Sequence, residues 1–151
     1  MKLRKAIITD TELLFKWANE SCVRNNALNT NQIDWDDHVV WFEKKLENKN
    51  SFIFIAEIDD TPIGQIRFDL ENNKYLIDYS VTIDERGKGY GFQIVKEGIK
   101  YIKKHVNYMS KFISLVKPEN TASIKIFEKL GISTKSSLFK GETELILYEL
   151  L

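Results

Sequence analysis

The stretch Val81-Thr82-Ile83-Asp84-Glu85-Arg86-Gly87-Lys88-Gly89-Tyr90-Gly91 runs from alternating, strand-like residues into a glycine loop and on into a long amphipathic segment. Three of the chain's seven glycines lie in it. Glycine lets the main chain approach a ligand closely, and the first amides of a helix have no acceptor within the helix. A strand that breaks at Arg86-Gly87-Lys88-Gly89-Tyr90-Gly91 and opens a helix therefore presents several backbone N–H groups to an anion. The anion expected is a pyrophosphate.

Two nucleotide-loop signatures fail at this place. The P-loop needs Ser or Thr after Gly-Lys, and here Gly89-Tyr90 follows Lys88. The dinucleotide fingerprint needs Gly-x-Gly-x-x-Gly with an acidic residue about twenty positions on, whereas the spacing from Gly87 is Gly-x-Gly-x-Gly and no such acid closes a second strand. What remains is Arg/Gln-x-x-Gly-x-Gly, filled by Arg86, Gly89 and Gly91. This pattern resembles the acetyl-CoA loop of the GNAT superfamily of N-acetyltransferases. The plain alternative, a glycine turn opening an ordinary helix, leaves the match of the elements on both sides unexplained.

Composition bounds the rest. A chain of 151 residues is long enough to bury a core without staples, and one domain spanning 1–151 is expected. Basic and acidic residues balance at 22 each, which argues against a nucleic-acid binder and against a polybasic membrane anchor, so a small-molecule amine or a peptide fits better. Cys22 stands alone, so no intrachain disulfide or cysteine-built metal site is expected. No apolar run follows the charges at 1–5 and none reaches membrane-spanning length, so the expectation is a cytoplasmic protein, monomer or homodimer.

In chain order, 2–8 reads as a strand, and Thr9 stands three residues ahead of Glu12 with capping-box spacing for a helix carrying Leu13, Leu14, Trp17 and Ala18. Residues 19–31, with Arg24 and five asparagines, read as a loop that folds over a substrate. Asp34 is the next N-cap, with Trp35, Val39, Phe42 and Leu46 as an apolar stripe and His38 and Trp41 on a neighbouring face. The near-continuous apolar run 52–58 implies a strand buried on both faces. Turns at 59–62 and at Asn72-Asn73 flank the alternating run 63–69, in which Gln65, Arg67 and Asp69 share a side. The run 75–83 alternates too, with Asp78, Ser80 and Thr82 as its polar positions. Paired through the hairpin, the polar side chains of both strands share a face and line a cleft. A helix over 91–105 buries Val95, Ile99, Ile102 and Val106. A strand at 112–116 precedes a helix over 121–130 capped by Asn120 and ended by Gly131 in a left-handed position, and strands at 132–135 and 143–150 close the chain.

The order β-α-α-β-β-β-α-β-α-β-β describes an α/β fold, a mixed sheet with helices on both faces, and it resembles GNAT from end to end. The resemblance implies a mostly antiparallel sheet in which two central parallel strands, here 75–83 and 112–116, splay apart to admit the pantetheine arm of acetyl-CoA. It implies that the backbone around Val81, Thr82 and Ile83 bonds the pantetheine amides, that Arg86, Gly87, Lys88, Gly89, Tyr90 and Gly91 hold the pyrophosphate, and that Asn120 and Phe127 contact the cofactor. No metal is implied. The front half, notably residues 14–19, Val23-Arg24, residues 33–38, Trp41-Phe42 and residues 64–69, resembles GNAT enzymes that acetylate amino-sugar nucleotides, as in pseudaminic acid biosynthesis, where a residue matching His38 lies near the substrate. Enzymes acetylating the N-termini of ribosomal proteins share some of this layout.

Two departures from the family pattern bear on the chemistry. Phe127 stands where many members carry a tyrosine that protonates the departing thiolate, and Leu115 stands where some place a glutamate. A site poor in obvious bases suits an amine of low pKa. At pH 7 a lysine-like amine costs roughly 4.6 kcal/mol to deprotonate and an α-amino-like one about 1.4. Amino groups on sugars and peptide N-termini both qualify. The expected catalytic residues are Asp78 and His38, with Arg24, Trp35, Arg67 and Asp69 holding the acceptor. A non-catalytic acyl-CoA-binding domain is the alternative of another class.

Overall fold

The computed structural model describes residues 1–150. Its seven strands form one sheet in the order β1-β2-β3-β4-β5-β7-β6. They are β1 (Lys2–Lys5), β2 (Ser51–Ile58), β3 (Thr61–Glu71), β4 (Lys74–Val81), β5 (Lys111–Val116), β6 (Thr134–Lys140) and β7 (Thr143–Leu150). Five helices join them: α1 (Thr11–Ala18), α2 (Ser21–Asn26), α3 (Trp35–Glu47), α4 (Tyr90–His105) and α5 (Thr121–Leu130).

Two tight turns set the register of the central strands. Asp59 and Asp60 have φ of 49° and 61°, and Asn72 and Asn73 have 49° and 63°. Positive φ at both central residues is the twist-matched two-residue hairpin, and Asp and Asn tolerate it better than other non-glycine residues. Ile58 therefore faces Thr61 and Glu71 faces Lys74. A register shift beside Ala56 places Pro62 opposite Glu57, at an irregularity where its missing N–H is tolerated.

The alternation along β2 divides the core in two. Ile53 and Ile55 point to Leu14, Trp17 and Phe42 of α1 and α3, whereas Phe54 and Ala56 point to Ile94, Val95 and Ile102 of α4. Phe127 of α5 belongs to the second layer, with Val116, Tyr148 and Leu150. Helices thus cover both faces, as the order of elements implied. β4 and β5 are the parallel pair, and they pair at Lys74 with Lys111, Tyr75 with Phe112, and Leu76 with Ile113. Beyond these positions β4 runs on to Val81 and β5 to Val116 with no pairing between them, while β5 stays bonded to β7. The sheet opens there into a wedge.

Several expectations need correction. The first turn of the first helical segment is a 3-10 turn, Ile8–Asp10, and the Ile7 amide is satisfied by Asp10 rather than by a Thr9 box. Residues 19–31 contain α2, so that stretch is not all loop. On α3 the buried residues are His38 and Phe42, while Trp35 and Leu46 are exposed, because the helix turns its His38–Phe42 line toward α1 and β2. Ile83 is not part of β4 but starts a 3-10 turn, Ile83–Glu85, and is exposed. On α4, Ile94 and Gly98 are buried, whereas Val106 lies beyond the helix and is exposed. Gly131 has a positive φ of 90°, but its ψ of 107° is outside the left-handed helical basin. β6 begins at Thr134 and extends to Lys140.

Candidate active site

The wedge opens into a cleft of about 930 Å³ lined from both sides of the sheet. At one end lies the glycine loop. The Thr82 amide donates to Ile63 O at 2.8 Å, fixing the end of β4 before the loop begins. Gly87 (φ 76°) and Gly89 (φ 85°) turn the chain through left-handed conformations, and Gly89 is the N-cap of α4. No side chain caps α4, so the amides of its first turn keep their donors for an anion. Gly91 serves packing. A Cβ there would lie 2.8 Å from Ile126 Cδ1 and 3.3 Å from Tyr79 Cε2.

Of the loop residues, Arg86, Gly87, Gly89, Tyr90 and Gly91 line the cleft together with Val81, whereas Thr82, Ile83 and Lys88 do not. Lys88 pairs with Glu85 at 3.0 Å. Arg86 is a brace. Its Nε donates to Val81 O at 2.9 Å, its Nη2 to Glu20 at 3.1 Å and its Nη1 to the Cys22 sulfur. Lys117, beyond β5, donates to Asn25 O at 2.8 Å. The segment around α2 is therefore tied to both edges of the wedge.

The other end of the cleft is aromatic and apolar, with Leu14, Trp17, Val23, Leu28, Ile33, Trp41 and Ile53 in its wall. The β3–β4 ladder places Arg67 opposite Asp78 and Gln65 opposite Ser80. Gln65 Nε2 donates to Asp78 at 3.1 Å, and Arg67 Nη1 lies 3.8 Å from the same carboxylate. Arg67 also sits over the Trp41 ring, 5.0 Å from its centre. Burial opposes the charge on Arg67, but Asp78 and Asp69 outweigh it and raise its pKa. The Asp78 side chain is 53% exposed, so this carboxylate stays within reach of a substrate or a water.

His38 lines the cleft but is buried within a ring of Phe15, Trp35, Trp41 and Phe42. Its Nε2 is 2.8 Å from Thr11 O, and a carbonyl can only accept, so Nε2 carries the proton. Burial lowers its pKa against the opposing pull of that bond, which keeps the ring neutral near neutral pH.

Three acceptor-site expectations meet a different arrangement. Arg24 does not stand as a free fork: Nε donates to Ala18 O at 2.6 Å and Nη1 to Asn29 O at 2.9 Å, which ties α2 to the end of α1 and to the loop that follows α2. Asp69 is buried outside the cleft wall and holds Lys45 at 2.7 Å, Ser51 at 2.7 Å and Arg67 at 2.7 Å, so it fixes Arg67 from behind. Trp35 packs edge-on against Phe15 with centres 5.0 Å apart and does not line the cleft.

On the α5 side, Asn120 and Phe127 line the cleft, and the side-chain oxygen Oδ1 of Asn120 accepts from Ser123 N at 3.2 Å as the helix cap. The residue that sequence reasoning passed over is Tyr79. Its place at an odd position of β4 read as apolar, yet its hydroxyl is 2.7 Å from Ser123 Oγ, with both residues in the cleft wall. Among the described residues no cluster of three His, Cys, Asp or Glu could hold a metal ion, and no helix is long and apolar enough to cross a membrane.

The sequence profile of the acetyltransferase (GNAT) domain matches residues 1–133. The chain belongs to the GNAT family. As a GNAT protein it is an N-acetyltransferase. Acetyltransferase PseH of Campylobacter jejuni is 24% identical over 120 residues, covering 80% of this chain and 74% of that one. Among solved structures, the ribosomal-protein alpha-N-acetyltransferase RimL in complex with coenzyme A has a TM-score of 0.85 at 12% identity, covering 99% of this chain and 92% of the other. YncA of Salmonella typhimurium, described as a putative acetyltransferase with its cofactor acetyl-CoA, has a TM-score of 0.79 at 18% identity, with coverage of 99% and 92%. These two likenesses show the GNAT fold.

Proposed function

We propose that the chain transfers the acetyl group of acetyl-CoA to a primary amine of low pKa carried on a nucleotide-linked amino sugar. The uncapped N-terminus of α4 and its left-handed glycines fit a pyrophosphate, and the unpaired edges of β4 and β5 fit the amides of a pantetheine arm. Acetyl-CoA supplies the activated acyl group. The chain's own residues orient the donor, exclude water with the segment around α2, and remove the proton of the acceptor.

The observation that carries the acceptor reading is the set Asp78, Arg67 and Trp41. A half-exposed carboxylate opposite a guanidinium, itself over an indole ring, offers hydrogen bonds to hydroxyls and an apolar face for a sugar ring. Asp78 takes the proton of the attacking amine through a water. His38 Nδ1 is the remaining base, because Nε2 donates to Thr11 O. Arg24 contributes charge near Asp78 while spending Nε and Nη1 on carbonyls, so a substrate phosphate would meet its Nη2 at one point rather than as a fork. The 24% identity to acetyltransferase PseH lends this reading weak support.

The test is release of free CoA from acetyl-CoA against a panel of nucleotide-linked amino sugars, N-terminal peptides and polyamines. Turnover of an amino-sugar nucleotide above the others is expected. Robust turnover of N-terminal peptides with none of any amino-sugar nucleotide would overturn the acceptor reading and leave the donor site standing.

A further inference from the structure

Acyl transfer from a thioester leaves a thiolate, and the site as described so far has groups that accept a proton but none that supplies one. Phe127, on the face of α5 toward the wedge, has no polar atom to offer. Tyr79 lies on the part of β4 that runs free of β5. Its ring meets Phe127 edge-on, with centres 6.1 Å apart, and its Cε2 lies close under Gly91 at the start of α4. The phenol is thus held between the glycine loop and the acceptor end, with its hydroxyl 2.7 Å from Ser123 Oγ on the first turn of α5. In packing terms the ring alone would serve. A hydroxyl in this layer needs a partner, and the one it has faces the same cleft.

We propose that Tyr79 donates the proton to the departing thiolate, with Ser123 holding its hydroxyl in place. The inference rests on acetyl transfer at this cleft and not on the identity of the acceptor. The amine nitrogen attacks the thioester carbonyl carbon, the carbon–sulfur bond breaks, and its electron pair leaves with sulfur. Sulfur then takes the phenolic proton of Tyr79. The phenolate regains a proton from solvent through the Ser123 hydroxyl, matching the proton that the amine loses to solvent by way of Asp78. The products are the amide and the free thiol. Burial, together with the charge of Asp78, holds the Tyr79 pKa above its ordinary value against the bond to Ser123. The phenol therefore stays protonated until negative charge develops beside it.

Tyr79→Phe keeps the ring and removes the donor. With hydroxylamine as a small acceptor, kcat for CoA release is expected to fall about 10²- to 10⁴-fold while the melting temperature holds. A binding measurement separates donation from general damage. At about pH 9 part of the CoA is present as thiolate, so the wild type is expected to bind CoA more tightly than desulfo-CoA by calorimetry, and Tyr79→Phe to bind the two alike. Ser123→Ala is expected to give a smaller loss of the same kind, restored by Ser123→Thr. A Tyr79→Phe enzyme with kcat within about threefold of wild type, or with the preference for CoA intact, overturns the proposal. Failure of the wild type to bind either ligand would instead overturn acetyl transfer at this cleft.

Discussion

The carboxylate of Glu20 meets the guanidinium of Arg86 at 3.1 Å, joining residues 66 positions apart and tying the segment before α2 to the glycine loop. Both side chains are partly exposed, so the pair adds little to stability, about 0–1 kcal/mol. Its effect is on the cofactor. A carboxylate beside a pyrophosphate site repels the ligand and occupies the charge that would attract it. Glu20→Gln is therefore expected to tighten acetyl-CoA binding about two- to fivefold at low salt, the gain shrinking as salt rises. Arg86→Ala is expected to weaken it. Calorimetric titration at two ionic strengths checks both, and a Glu20→Gln variant that binds less tightly would show the pair to be a needed clasp.

Gly89 tests the loop itself. Open space surrounds its Cβ position, so a methyl group clashes with nothing, and the cost of Gly89→Ala comes from holding φ near 85°. That cost is about 1–2 kcal/mol. The chain escapes it by turning the first amides of α4 away from the anion. The expected result is a modest fall in melting temperature with a fall in acetyl-CoA affinity of tenfold or more, whereas Lys88→Ala, at a residue outside the cleft wall, changes affinity far less.

Most of this fold was legible because its signals are local. The paired turns at Asp59-Asp60 and Asn72-Asn73, the alternation along β3 and β4, and the glycine loop each declare themselves within a few residues. What was not legible depends on distant partners. Helix α2 is the sequence Ser-Cys-Val-Arg-Asn-Asn, poor in strong helix formers and without a side-chain cap, and its surroundings hold it: Arg86 to Cys22, Lys117 to Asn25 O, Arg24 to Ala18 O. The spacing of Asp69 placed it correctly on the side of Arg67. Nothing local showed that Lys45 would reach it from α3 and close it off from substrate. Tyr79 followed the apolar alternation, and its function hangs on a serine 44 residues away.

Asp69 and Asp10 make the protein acid-sensitive. Burial alone would raise the pKa of Asp69, but Arg67, Lys45 and Ser51 reverse this and hold it below its ordinary value. The bonds from Arg4 lower that of Asp10 against a burial penalty, with help from the Ile7 amide. Each folded-state pKa is depressed. The stability they confer is therefore fully present above the ordinary carboxylate range and is lost as pH falls through it toward the folded values. Asp69→Asn is expected to cost about 1–3 kcal/mol at pH 7 and less near pH 3. Urea unfolding at the two pH values reads the difference, and an equal cost at both would mean that the charge on Asp69 is not what matters.

Asp78 and His38 are expected to separate by their pH profiles. Asp78 is half exposed at the parting of the strands, next to Gln65 and opposite Arg67, and its proposed task is to pass a proton from the amine to water. Asp78→Asn keeps the hydrogen bond from Gln65 and removes the base, so kcat should fall about 10²-fold or more with little change in acetyl-CoA affinity. Raising the pH should recover part of the loss, since the amine then arrives already neutral. His38 has its Nε2 proton fixed on Thr11 O and lies in an aromatic ring of neighbours, so His38→Ala also opens a hole between α1 and α3. His38→Gln, which can still donate to that carbonyl, isolates the chemistry. If Nδ1 takes the proton, His38→Gln loses kcat while keeping its melting temperature; if the imidazole only packs, kcat is retained and Asp78 is left as the base. Should Asp78→Asn keep its activity at every pH while His38→Gln loses it, the roles assigned to the two residues would be reversed.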